Sequence, residues 1–108
     1  MASGKLIRLD VDGKKTETIT IDWNPTMEEL QKAVGGYVNS LVINYEGIRR
    51  QAYVDEEGGF GPGCKGLPVN EEATRLWHAA NPLQVGRNVI RGPMAIWIPD
   101  EVRRRKDR

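Results

Sequence analysis

Between Lys5 and Val11 the chain reads KLIRLDV, and between Thr16 and Asp22 it reads TETITID. Apolar and polar residues alternate in both, the period of a strand whose successive side chains point to opposite faces. Asp12-Gly13 lies between them and is a strong turn signal, so the two stretches predict a hairpin. Ile7, Leu9, Val11, Ile19 and Ile21 are assigned to its core side, and Leu6, Thr16, Thr18 and Thr20 to a wetter one. The adjacent apolar pair Leu6-Ile7 leaves the register open. The period then changes in WNPTMEELQKAVGG, residues 23–36, where Met27, Leu30, Ala33 and Val34 fall at helical spacing. Thr26 with Glu29 three residues on forms a capping box for that helix, and Gly35-Gly36 supplies its stop.

The second half repeats the order without repeating the residues. YVNSLVINY at 37–45 and RRQAYVD at 49–55 flank Glu46-Gly47 and predict a second hairpin. A glycine-rich stretch at 58–66 leads to LPVNEEATRLWHAA, in which Asn70 caps a helix with Glu71 and Glu72 in its first turn. Ala73, Leu76, Trp77 and Ala80 form one apolar stripe, and Asn81-Pro82 ends the helix. The remaining LQVGRNVIRGPMAIWIP offers one or two strands, the clearer being Met94–Ile98, nearly all apolar and so central in its sheet. Trp77 is assigned to the core, and Trp23 and Trp97 to the core or a sheet edge. The order β-β-α-β-β-α-β(β) with tight hairpins predicts an α+β fold. It has a mostly antiparallel or mixed sheet of about five strands with two short helices, both on one face in the simplest packing.

Composition adds the broad class. The 108 residues are 39% hydrophobic and 29% charged, the balance of one soluble domain, assigned to residues 1–101, with a basic, disordered tail at 102–108. A single cysteine, Cys64, and a single histidine, His78, give neither an internal disulfide nor a four-ligand zinc site. No cofactor is implied. The opening MASGKLIRLDVDG alternates where a signal peptide needs an apolar run of about 7 residues or more. No apolar run approaches the ~20 residues that cross a bilayer. These features predict a soluble, cytoplasmic protein that does not meet a membrane. The formal net charge is +1, yet residues 103–108 alone carry +4, which leaves −3 on the rest. A broad basic face on the globular part is thereby disfavoured, and Arg103, Arg104, Arg105 and Lys106 are the candidates for a weak nucleic-acid contact through phosphates.

Candidate chemistry centres on GFGPGCKG, residues 59–66, where Gly61, Gly63 and Gly66 match G-x-G-x-x-G. A dinucleotide site needs a strand before the motif and a helix opening within it. Here Asp55 to Gly58 already mark a turn, Pro62 interrupts the motif and Leu67-Pro68 separates it from the helix. Lys65 followed by Gly66 fails the P-loop pattern, and the stretch from Asp55 lacks the terminal glutamate of an EF-hand. Cys64 with His78 makes no convincing nucleophile and base, and no paired-carboxylate motif stands elsewhere, so no catalytic residue is assigned and the chain is read as a non-enzyme. What survives is an anion site, for a nucleotide phosphate, at the start of the second helix. Lys65, Gly66 and Asn70 would form it with Tyr53 nearby, against the opposing charges of Glu71 and Glu72.

The block YVDEEGGFGPGCKGLPVNEEATRLW, preceded by MEELQKAVGGYV and followed by GPMAIW, resembles the domain-of-unknown-function family number 3846, short bacterial, phage and mobile-element proteins. The resemblance spans roughly Met27 to Trp97. It is most specific at Val54–Gly58 and at Gly66, Leu67, Pro68, Asn70, Ala73 and Thr74. The spacer between these is lengthened here by GFGPGC, which marks Phe60–Cys64 as dispensable to the fold. The resemblance implies a phage or mobile-element accessory protein in the host cytoplasm and supplies no catalytic residues. The functional expectation is binding to a host or phage protein. The alternatives are sequestering a nucleotide or nucleotide-derived signal, as a homo-oligomer in one form, and weak nucleic-acid binding by the tail.

Overall fold

The first hairpin joins β1 (Gly4–Leu9) to β2 (Lys15–Thr20), with Gly4 opposite Thr20 and Leu9 opposite Lys15. Its turn is closed by the Asp10 amide on the Lys14 carbonyl at 2.8 Å, and the Asp12 carboxylate accepts from the Lys14 amide. Val11 therefore lies in the turn and is 36% exposed, not in the core as its alternation suggested. The computed structural model describes residues 4–20, 25–59 and 62–99. Expectations for Ile21, Trp23, Phe60, Gly61 and the tail at 102–108, with Arg103 to Lys106, fall outside those residues. So do those for the side chains of Thr18, Ile19 and Thr20.

The second hairpin joins β3 (Val38–Tyr45) to β4 (Ile48–Asp55). Its two turn residues, Glu46 and Gly47, have φ of 54° and 80°, the paired left-handed conformations of a turn that matches strand twist. β5 (Met94–Pro99) pairs with β1 on one side and β4 on the other, giving the antiparallel order β2-β1-β5-β4-β3. The almost wholly apolar strand is thus the central one, as its composition predicts.

The helices do not share a face. α1 (Met27–Val34) packs Leu30 and Val34 against Leu6, Ala95 and Trp97, with Tyr53 and Val38 at the margin. α2 (Glu71–Ala80) packs Ala73 and Leu76 against Ile7, Leu9, Ile43, Ala52, Met94 and Ile96. Neighbouring residues of a strand point opposite ways, so these are opposite faces of one sheet and the fold has three layers. The one-face packing is corrected by the same pair that blurred the register. Leu6 and Ile7 are 5% and 3% exposed because each lies beneath a different helix. Trp97 is core, on the α1 face, and Trp77 is half-buried against the α2-face core.

Both helices start as their sequences dictate. Thr26 and Glu29 make the reciprocal capping box, and Gly35, at φ 88°, ends α1 in the left-handed conformation with its amide on the Gln31 carbonyl. α2 crosses its face from the Leu9 end of β1 to β3. The sheet's outermost strands also meet there through side chains, with the Lys15 ammonium of β2 5.2 Å from the centre of the Tyr45 ring of β3. Among the described residues no helix is long and apolar enough to cross a membrane.

Candidate functional site: an open strand edge and the cleft beside it

The described ends of the glycine-rich stretch are tied to each other. Lys65 donates its amide to the Glu57 carbonyl at 2.7 Å, Gly66 to Gly59 at 2.8 Å and Leu67 to Gly58 at 2.9 Å. Its lysine faces inward. The Lys65 ammonium donates to the Asp55 carboxylate at 2.5 Å and to the Gly35 carbonyl at 2.9 Å, which ties Lys65 to the end of β4 and to the C-terminus of α1, where a cation is favoured. Asp55 is 1% exposed at its side chain, and its other oxygen accepts from the Glu57 amide. The pair satisfies a buried charge that would otherwise be costly.

Asn70 is committed as well. It is fully buried, with its oxygen accepting from the Ala73 amide and its nitrogen donating to the carbonyls of Leu9 at 3.1 Å and Gly92 at 2.9 Å. One side chain thus caps α2 and ties it to β1 and to the turn before β5. Tyr53 lies on the α1 face, where burial pushes its hydroxyl pKa up. Lys65, Asn70 and Tyr53, with Gly66 in the connecting turn, therefore do not converge on one anion site. The polar groups of Lys65 and Asn70 already serve the fold.

A different set of residues does converge. A cleft of about 490 Å³ opens on the α2 face, floored by Leu41 and Val54 and lined by Asn39, Trp77, Gly58 and the segment Arg87–Arg91. Asp55 reaches its lining with both carboxylate oxygens already occupied by hydrogen bonds. The arginine-bearing segment is pinned at several points. His78 Nε2 meets the Asn88 carbonyl at 2.7 Å, and the Ile90 amide donates to Thr74 Oγ1 at 2.8 Å. The Ile90 carbonyl takes the Asn70 amide, and Arg91 Nη1 donates to the Leu67 carbonyl. His78 is thus a strut for this segment as well as a residue of the last helical turn.

The edge of β3 borders the same cleft through Asn39 and Leu41. Hydrogen-bonded and non-hydrogen-bonded positions alternate along an antiparallel pair. The Tyr37 carbonyl accepts from Glu56, so odd-numbered residues face β4, and the Val42 carbonyl points out to accept from the Asn81 amide at 2.9 Å. The outward backbone groups are accordingly those of Val38, Ser40, Val42 and Asn44. Asn81, just past α2, covers this edge at Val42, and the Asn44 side chain reaches the Ala79 carbonyl. Among the described residues nothing takes up the outward groups of Val38 and Ser40, and Asn39 and Ser40 are exposed.

Comparison of the chain with family models, with curated proteins and with solved structures finds no match in any of them. The cleft residues escaped the sequence reading because VGRNVIRG has neither a helical nor a strand period. The one available signal was two arginines four apart between a helix stop and a central strand. The edge left a plainer trace, since VNSLVINY carries no charge.

Proposed function

We propose that this chain is a non-enzymatic binding protein that accepts an extended segment of a partner protein along the Val38–Leu41 half of β3. The single observation behind this reading is the pair of outward positions, Val38 and Ser40, that nothing among the described residues fills, on an uncharged edge strand. Such an edge is a template for another strand: main-chain hydrogen bonds hold the guest, and flanking side chains select it. The setting, a phage or mobile-element accessory protein meeting a host or phage protein in the host cytoplasm, comes from the resemblance at Val54–Thr74.

Ser40→Pro tests it. The Ser40 amide faces outward, so proline removes no bond to β4 while its ring blocks an added strand. A tagged wild-type chain should retain a partner from bacterial lysate that the variant loses, with melting temperatures within a few degrees. Retention of the same partner by both chains contradicts the reading.

A further inference from the structure

We propose that the cleft between α2 and the β3–β4 end holds a small anionic molecule bearing a flat ring, of the nucleotide class, with Arg87 as the anion contact. The cleft, not the edge, carries this, so it stands or falls apart from strand addition. Its volume lies in the range that encloses a drug-sized ligand, well beyond a bare inorganic ion. The floor of Leu41, Val54 and Ile90 is apolar, and Trp77 adds an aromatic wall, which suits a ring. Arg87 and Arg91 stand at one side, and arginine combines a forked donor for phosphate or carboxylate oxygens with a plane that stacks on rings. Asn39 brings an amide group able to meet the edge of a base, and Asn88, whose nitrogen already donates to the Gln84 side chain at 2.6 Å, brings its amide oxygen. Among the described residues the only carboxylate in the lining is Asp55, which already accepts from Lys65 and from the Glu57 amide, so it opposes an anion less than its charge suggests. Preorganisation completes the case, because the contacts at His78, Thr74, Asn70 and Leu67 hold the Arg87–Arg91 segment before any ligand arrives.

The test is an NMR titration of the full chain with adenosine triphosphate, guanosine triphosphate, adenosine and inorganic pyrophosphate. A nucleotide should give saturable shifts at the Trp77 indole and at Arg87–Arg91, and not at Glu71–Ala73. Arg87→Ala should weaken it about tenfold, roughly the worth of one charge-assisted hydrogen bond. Adenosine and pyrophosphate, each carrying half of the chemistry, should bind more weakly than the nucleotide. Three results overturn the proposal: no shifts with either nucleotide at millimolar concentration, shifts that Arg87→Ala leaves unchanged, or pyrophosphate binding as tightly as the nucleotides. Arg87 is exposed, so its variant is expected to fold.

Discussion

At the β2 edge of the sheet the outward backbone groups belong to Lys15, Glu17 and Ile19, because the closing bond between Asp10 and Lys14 sets the alternation. At the β3 edge they belong to Val38, Ser40, Val42 and Asn44, none of them charged. Charged residues on an edge repel or desolvate poorly against an incoming strand, the common protection of natural sheets. β2 carries that protection in its own sequence and adds an ion pair, Lys5 to Glu17 at 3.8 Å. β3 borrows its cover from the end of α2, through Asn81, and among the described residues only at one end. An edge guarded by another element is open wherever that element stops. Here it stops beside the cleft.

The largest predicted effect comes from removing what holds the guard. Asn70→Ala deletes the cap of α2, about 1 kcal/mol, and strands the buried carbonyls of Leu9 and Gly92. The combined loss should be about 3 kcal/mol, read as a lower urea midpoint. A loss below about 1 kcal/mol would mean that α2 is seated by packing alone.

Next in size is an exchange of edge character. Lys15→Val with Glu17→Val makes the outward positions of β2 resemble those of β3, and sedimentation should show stronger concentration-dependent association than in the wild type. If the double variant stays monomeric, charge is not what guards β2.

The smallest effect concerns the link between α2 and the β2 side. Arg75 grips Glu72 with both branches of its guanidinium, and Lys15 lies close enough to add to the field. The hydrogen bond from Arg75, then its charge and that of Lys15, hold the Glu72 carboxyl below its ordinary 4.5. A carboxyl lowered on folding stabilises above its unfolded pKa, and that contribution fades as pH falls through the lower folded value. Glu72→Gln should therefore reduce the urea midpoint slightly at pH 7, while the two proteins converge in acid once the carboxyl is protonated. A difference that persists undiminished in acid would assign the effect to packing.

Local chemistry was the legible part of this fold. The Thr26–Glu29 box, the Gly35 stop, the Asn70 cap and the Glu46-Gly47 turn all act within a few residues, so their signals are contiguous. The assignment of helices to faces was not legible in that way, because it depends on which strand neighbours which. Leu6-Ile7 and the unbroken apolar run of β5 did carry a hint, since only a sheet covered on both sides buries consecutive residues. Lys65 and Asn70 look like ligand groups in a linear reading. Their partners include Gly35 and Leu9, which lie 30 and 61 residues away, beyond any local pattern. Arg87 and Asn39 meet at the cleft for the same long-range reason.

Amide hydrogen exchange along β3 tests the open edge most directly. In the free chain the amides of Asn39 and Leu41, bonded to β4, should exchange slowly, while those of Val38 and Ser40 exchange fast and slow down once a partner is bound. Slow exchange at Ser40 in the free monomer would show that the edge is already closed, and would contradict the account.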